Sequence, residues 1–164
     1  VPAAALQREG PALEAVDAVA AAAEVVNLYR LGESPVTWTL DAAAVPHVAA
    51  RRGELVEVLV NLFENARDAG ASRVAVTVRP GGEGWAATIA VADDGGGIPE
   101  ALLPRVFEPR FRTTSSGSGL GLAIVKRLVD GWGAEVALES VEGRGTAVII
   151  RLRAPTTATP PTSV

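Results

Sequence analysis

Apolar residues recur along this chain with two different periods, and the changes from one period to the other divide it into elements. Leu13, Val16, Val19, Ala20, Ala23, Val26 and Leu31 fall at helical spacing and predict a helix over 13–31, stopped near Gly32. Alternation then predicts a strand over 36–40 and a second extended piece over about 45–49, paired as a hairpin or lying as neighbours. Over 53–69, Leu55, Leu59, Leu62 and Ala66 form one apolar stripe and Val56, Val60 and Phe63 another, so this helix is expected to be buried on two sides. Val74, Val76 and Val78 alternate with other residues up to a turn at 80–84, and Ala87, Ile89 and Val91 alternate after it, which is an antiparallel hairpin. A short helical piece over 100–106 leads into a Ser-, Thr- and Gly-rich stretch at 108–118, expected to be mobile. A helix over 120–132 and a final hairpin, 135–140 with 146–153, complete the pattern. The order departs from strict βαβ alternation and predicts helices on one face of a mixed, mainly antiparallel sheet.

Composition narrows the chemistry. The chain has 164 residues and 48% hydrophobic content, enough for one domain with a real core. It has no Cys and one His, which excludes disulfides, a thiolate nucleophile, Cys-ligated metals and any His cluster. A net charge of −4 argues against a nucleic-acid partner. No stretch is apolar for long enough to span a membrane; the expectation is a cytoplasmic domain without direct membrane contact, with membrane anchoring of the parent protein left open. Because the chain begins with Val, residues 1–12 are expected to be a linker from an upstream domain, 13–153 the folded domain and 154–164 a disordered Pro- and Thr-rich tail.

Three places depart from plain structural patterning. Glu57, Asn61, Asn65 and Asp68 form a polar stripe between the two apolar faces of the second helix. It either faces solvent or offers oxygen ligands to a hard cation such as Mg²⁺, which takes few protein oxygens and leaves the rest to phosphate and water. Asp93-Asp94-Gly95-Gly96-Gly97 follows the strand carrying Ile89 and Val91. It is either a turn or a place where backbone passes close to a flat ligand while Asp93, the strand-terminating carboxylate, accepts from an exocyclic amine. Gly117-Ser118-Gly119-Leu120-Gly121-Leu122 opens into the third helix, either as a flexible linker or as exposed N–H groups for a phosphate. A Rossmann turn would need a strand immediately before the glycines, and a Walker A loop a Gly-Lys-Ser/Thr; neither is present. Arg105, Arg110 and Arg112 flank the mobile stretch and could reach phosphates, His47 is read as a surface residue, and Trp38, Trp85 and Trp132 as packing.

Taken in order, these segments resemble the catalytic, ATP-binding domain of bacterial sensor histidine kinases, in the superfamily that includes gyrase, heat-shock chaperone and mismatch-repair ATPases. Asn61-Leu62-Phe63-Glu64-Asn65-Ala66 is similar to the N box and Asp93-Asp94-Gly95-Gly96-Gly97-Ile98 to the first Gly box. Val106-Phe107-Glu108-Pro109-Arg110-Phe111 is similar to the F box, Gly117 to Leu122 to the second Gly box, and Gly143-Arg144-Gly145-Thr146 to the last. The five boxes stand in order between 61 and 146, and the resemblance covers roughly 13–153.

The resemblance implies a Bergerat-type ATP-binding fold, an α/β sandwich in which three helices cover one face of a mixed, mainly antiparallel sheet, with ATP or ADP and Mg²⁺ held between helices and a lid. Residue by residue, it implies Asn65 as the Mg²⁺ ligand and Asn61 as phosphate support, Asp93 on the adenine amine, and Gly97 and Ile98 on the base. Gly119, Leu120, Gly121 and Leu122 would lie against the phosphates, and Thr146 beside the adenine-binding Asp. Phe107 and Phe111 would anchor the lid, and Asp68, Gly95 and Gly117 complete the nucleotide contacts. Asn61, Arg110 and Arg112 are the candidates for assisting phosphoryl transfer. The resemblance further implies transfer of the γ-phosphoryl to a His on a separate dimerisation domain, then signalling through a response regulator, so the fragment itself is expected to be monomeric. Asp68 stands where many members carry Lys, Arg110 where a subgroup carries an aromatic residue, and Trp132-Gly133-Ala134 where His-Gly-Gly is common. His47 is followed by Val48 and does not match a phosphoacceptor. The rival readings are an ATP-hydrolysing conformational switch, an anti-sigma-factor-like Ser/Thr kinase and a non-catalytic module. The hydrolysing relatives place a Glu four residues before the Mg²⁺-binding Asn; here Asn61 occupies that place and an amide takes no proton.

Overall fold

The computed structural model describes residues 12–109, 111 and 121–156. Five strands, β2 (Thr37–Ala42), β4 (Arg73–Pro80), β5 (Ala87–Asp93), β7 (Gly145–Leu152) and β6 (Glu135–Val141), form one sheet in the order β2-β4-β5-β7-β6. Only the β2–β4 pair is parallel; the others are antiparallel, as the element order predicts. Helices α1 (Ala18–Arg30), α2 (Arg52–Asp68) and α3 (Gly121–Gly131) cover one face of the sheet.

That face is built in rows running across the strands. Val78, Ile89, Ile150 and Val136 are in register on β4, β5, β7 and β6, and Val76, Val91, Val148 and Leu138 form the next row. The central valines and isoleucines of both rows are buried under α2 and α3, where β-branched residues fit the pleated surface. The first predicted stripe of α2, Leu55, Leu59, Leu62 and Ala66, is buried throughout; of the second, Phe63 is buried while Val56 and Val60 are half-buried against the core, and Val58, outside both stripes, is buried as well. At one corner Tyr29 of α1, Trp38 of β2 and Phe63 of α2 pack ring on ring, with centroids 4.8 to 5.1 Å apart. Trp132 is also core, and its indole N–H donates to Glu54 at 2.8 Å, tying the end of α3 to the first turn of α2.

Two expectations are corrected. Residues 13–31 are not one helix: Glu14–Val16 is a strand, β1, and α1 starts only after Asp17, whose carboxylate accepts from the Ala20 N–H at 3.0 Å. Asp17 is a strong N-cap, so the helical period begins there, and the buried face of α1 is Ala18, Ala21, Ala22, Val25 and Val26, while Leu31 lies exposed. Likewise the two extended pieces after α1 do not pair with each other. β2 joins the main sheet, whereas β3 (Val48–Ala50) pairs antiparallel with β1, placing Val16 opposite Val48. This small ribbon has a use: Glu14 accepts from the Arg52 N–H at 3.2 Å, occupying a donor at the otherwise side-chain-uncapped start of α2. The short helical piece is a 3₁₀ helix, Glu100–Arg105, consistent with Pro104 inside it. The stretch expected to be mobile falls, apart from Glu108, Pro109 and Phe111, outside the described residues, as do 1–11 of the linker and 157–164 of the tail.

A polar row under an apolar cleft

The third row across the sheet changes chemistry. Trp38 and Val74 continue it on β2 and β4, but the next three positions in register are Asp93 on β5, Thr146 on β7 and Ser140 on β6. These polar groups lie on the face covered by the helices, where the two rows behind them are apolar. Asp93 and Thr146 line one end of a cleft between α2 and the sheet, and Ser140 stands beside Thr146 outside that lining. Leu62, Val91, Leu138, Val148, Phe111 and Leu122 supply its apolar surface; Asn65, Asp68 and Ala69 line it from α2, and Gly96, Gly97 and Ile98 from the loop after β5. One wall is flat and apolar and the other carries a few convergent polar groups, the usual make-up of a small-molecule site.

Adjacent aspartates on that loop have opposite environments. Asp94 points to the start of β4, where it accepts from the Ser72 N–H at 2.7 Å, the Ser72 hydroxyl at 2.6 Å and the Arg73 N–H at 2.9 Å. These donors, the Ser72 hydroxyl foremost, hold its carboxyl down to about 2. Asp93 turns inward instead, and burial pushes its carboxyl up despite the amides of Gly95, at 2.8 Å, and Thr146. Asp94 is therefore spent on holding the loop, while Asp93 keeps acceptor capacity in the cleft. Sequence reasoning had selected Asp93 on its place at the strand end.

The loop is fixed at every step. Gly96 N–H donates to the Ala69 carbonyl at the end of α2, and Gly143 N–H of the β6–β7 turn donates to the Gly96 carbonyl. Gly97 has φ +68°, and a Cβ there would stand 2.2 Å from the Val141 carbonyl; at Gly145, with φ +133°, it would stand 2.0 Å from the Asp93 carbonyl. No other residue fits at either position without backbone movement, so these glycines set how closely the loop and the last hairpin approach. Ser140, which the sequence reading passed over, joins the same parts: its Oγ accepts from the Ile98 N–H at 2.8 Å, donates to the Gly145 carbonyl at 3.0 Å and meets Thr146 Oγ1 at 2.8 Å.

The polar stripe of α2 divides in two. Asn65 and Asp68 line the cleft, whereas Glu57 is exposed and the Asn61 amide donates back to the Glu57 carbonyl at 3.0 Å. Asn65 Nδ2 is buried without a hydrogen-bond partner among the described residues, beside Gly121 at the start of α3, where a Cβ would lie 3.1 Å from it. An amide left this way is costly unless a ligand supplies the partner. Its nitrogen suits a phosphate oxygen and its oxygen a hard cation, so the donor set fits Mg²⁺ held mostly by phosphates. Among the described residues no group of three or more His, Cys, Asp or Glu could hold a metal by protein ligands alone.

Of the remaining predicted residues, Gly97, Ile98, Leu122 and Thr146 line the cleft, Gly95 is buried against Ala69, and Gly121 abuts Asn65. Phe107 packs with Ile98, Val106 and Phe111 in a small apolar cluster, of which Ile98 and Phe111 line the cleft. Arg110, Arg112, Gly117, Gly119 and Leu120 lie outside the described residues. His47 is exposed and does not line the cleft. Among the described residues no helix is long and apolar enough to cross a membrane.

Comparison with known proteins agrees with this geometry. The sensor histidine kinase ZraS of Escherichia coli O157:H7 is 36% identical over 101 residues, covering 62% of this chain and 22% of that protein. The sensory histidine kinase/phosphatase NtrB of Rhizobium meliloti strain 1021 is 35% identical over 119 residues, covering 63% and 31%. The chain thus spans less than a third of the length of these relatives. Among solved structures, a mycobacterial sensor histidine kinase, MprB, superposes with a TM-score of 0.72 at 29% identity, covering 87% of this chain and 99% of that one. Full-length ShkA in complex with AMPPNP gives 0.77 at 26% identity, covering 91% and 33%. Residues 50–156, which carry α2, the polar row and the glycine loop, match the model of the histidine kinase-, DNA gyrase B- and HSP90-like ATPases, and the chain belongs to that family.

Proposed function

We propose that this cytoplasmic domain binds Mg-ATP in the cleft and donates its γ-phosphoryl group to a histidine on a separate, helical dimerisation domain of a two-component kinase, which passes it to a response regulator. The observation that carries the nucleotide reading is the polar row: a half-buried, acceptor-only Asp93 at the end of an apolar cleft, with the unpartnered amide of Asn65 across from it. In this reading Asp93 accepts from the adenine amine while Gly97 and Ile98 pack on the base. Asn65 serves Mg²⁺ and phosphate together, and Asp68 stands beside it. Leu122, Gly121 and the preceding residues 117–120 receive the phosphates, and Phe107 and Phe111 support the lid that brings Arg110 or Arg112 to the triphosphate.

Kinase is favoured over hydrolase by the residue four before Asn65. Asn61 holds no ionisable group, and its amide is occupied with the Glu57 carbonyl, so nothing there activates water. Phosphoryl transfer depends chiefly on positioning and charge stabilisation, which this chain supplies for the nucleotide and a docked partner would supply for the nucleophile.

The test has two arms. Calorimetric titration of ADP and a non-hydrolysable ATP analogue, with and without Mg²⁺, should give micromolar-range binding whose Mg²⁺ dependence disappears in Asn65→Ala. Mixing the chain with labelled ATP and the His-bearing domain of its parent kinase should give an acid-labile phosphoprotein. Brisk ATP hydrolysis by the chain alone would support the switch reading instead, and an acid-stable product a Ser/Thr kinase.

A further inference from the structure

We propose that Ser140 is a positioning residue that fixes Thr146 as a hydrogen-bond acceptor and so helps the cleft discriminate an amine from a carbonyl on the bound base. The inference rests on the nucleotide-site reading above and goes beyond it to a residue outside the recognised boxes.

Counting hydrogens fixes the direction of each contact around Ser140. Ser140 Oγ has three partners: the Ile98 N–H, the Gly145 carbonyl and the Thr146 hydroxyl. The amide can only donate, so Ser140 accepts there; the carbonyl can only accept, so the single Ser140 hydrogen goes to Gly145. Nothing remains for Ser140 to give Thr146, and the 2.8 Å contact between the two hydroxyls requires Thr146 to be the donor. The Thr146 hydrogen therefore points away from the neighbouring Asp93, and Thr146 offers the cleft lone pairs alone. Asp93, in register beside it, is likewise acceptor-only when ionised. A base edge carrying an exocyclic amine, with two hydrogens, matches this pair; a carbonyl in the same place meets two sets of lone pairs, and a site whose polar groups are left facing the wrong partner rejects that ligand.

Removing the Ser140 hydroxyl releases the Thr146 hydrogen, which can then rotate toward a carbonyl. The experiment compares ADP with IDP, which differ by an exocyclic amine against a carbonyl and, at the adjoining ring nitrogen, by a lone pair against an N–H, in calorimetric titrations of the whole chain, with melting temperature followed in parallel. The wild-type chain should prefer ADP. Ser140→Ala should narrow the ADP-to-IDP affinity ratio by about tenfold, the scale of one hydrogen bond gained, and Ser140→Thr, which keeps the hydroxyl, should restore it. Thr146→Val removes the acceptor itself and should narrow the ratio without any change at Ser140; in that background Ser140→Ala should add nothing. A merely structural Ser140 would weaken both nucleotides by one factor and leave the ratio unchanged. That result in a folded Ser140→Ala protein, or an unchanged ratio in Thr146→Val, overturns the proposal while nucleotide binding stands. Failure of the wild-type chain to bind either nucleotide overturns the site reading, and this inference with it.

Discussion

Replacing Asp93 by Asn should move stability and binding in opposite directions. Burial is the largest influence on the Asp93 carboxyl and raises its pKa above the ordinary 3.8, with the Gly95 and Thr146 amides only partly offsetting it. A raised folded-state pKa means that the group's contribution to stability is present at acid pH and lost as pH rises through that pKa. At neutral pH the ionised carboxylate therefore costs the empty domain stability. Asn keeps an oxygen for the Gly95 N–H, bonded at 2.8 Å, and removes the buried charge, so the melting temperature of the nucleotide-free variant at pH 7 should equal or exceed that of wild type. Affinity should fall, because the second carboxylate oxygen becomes an NH₂ facing the donor amine of adenine. Losing a charge-assisted hydrogen bond and leaving two donors opposed costs about 3 kcal/mol, or roughly a hundredfold at about 1.4 kcal/mol per tenfold.

Calorimetry with ADP and thermal denaturation of the same samples read the two quantities. Asp94→Asn is the control, since Asp94 does not line the cleft and has three donors aimed at it. It should melt lower and bind nearly as wild type. An Asp93→Asn protein that binds ADP normally, or one whose lost binding comes with a lowered melting temperature, would show that this carboxylate is structural and refute the assignment.

Two further outcomes follow from the same contacts. Trp132→Phe removes the indole hydrogen bond to the half-buried Glu54, which keeps Arg51 at 2.9 Å, and should destabilise the domain by about 2 kcal/mol in urea titrations, less if Glu54 relaxes toward water. The carboxyls of Glu54 and Asp94 are both held below their ordinary values of 4.5 and 3.8, so the stability they contribute is present above those values and lost as pH falls. The urea midpoint should therefore decline below about pH 4.5, and Asp94→Asn should flatten the part of that decline between 3.8 and about 2.

Most of the sheet and α2 were legible because a single period governs each: Val74, Val76 and Val78 can occupy one face only if the segment is extended, and the doubled stripe of α2 requires burial on two sides. Residues 13–31 misled for the opposite reason. Alanine suits either period poorly as a marker, so the run from 18 to 23 could not show where the helix began, and Val16 fits a helical stripe as well as it fits a strand. The start signal was Asp17, whose capping bond depends on the chain entering from β1 at an extended angle. Pairing of β1 with β3 joins segments more than thirty residues apart and leaves no local trace.

The candidate site shows the same division between what is local and what depends on register. Asp93, Asn65 and the glycines announce themselves as polar or permissive residues at the ends of apolar elements, so chain order alone is enough to suspect them. Ser140 lacks such a signal, since a serine at a strand end facing a turn is commonplace. Alternation nevertheless contained its placement: Val136 and Leu138 put Ser140 on the helix-covered face of β6, and Val148 puts Thr146 on that face of β7. Joining the two needed the β6–β7 register, which the turn at 142–144 sets and which also brings Thr146 level with Asp93 across β7 and β5. A one-residue slip in either pairing would turn one of these groups to the open face and put an alanine in the row, Ala147 or Ala92, with no way to bond the loop. The apolar rows behind the cleft forbid that slip, since it would carry Val148, Ile150 and Leu152 to the open face as well. The hydrophobic register that stabilises the sheet is thus also what aligns the three polar groups at its end.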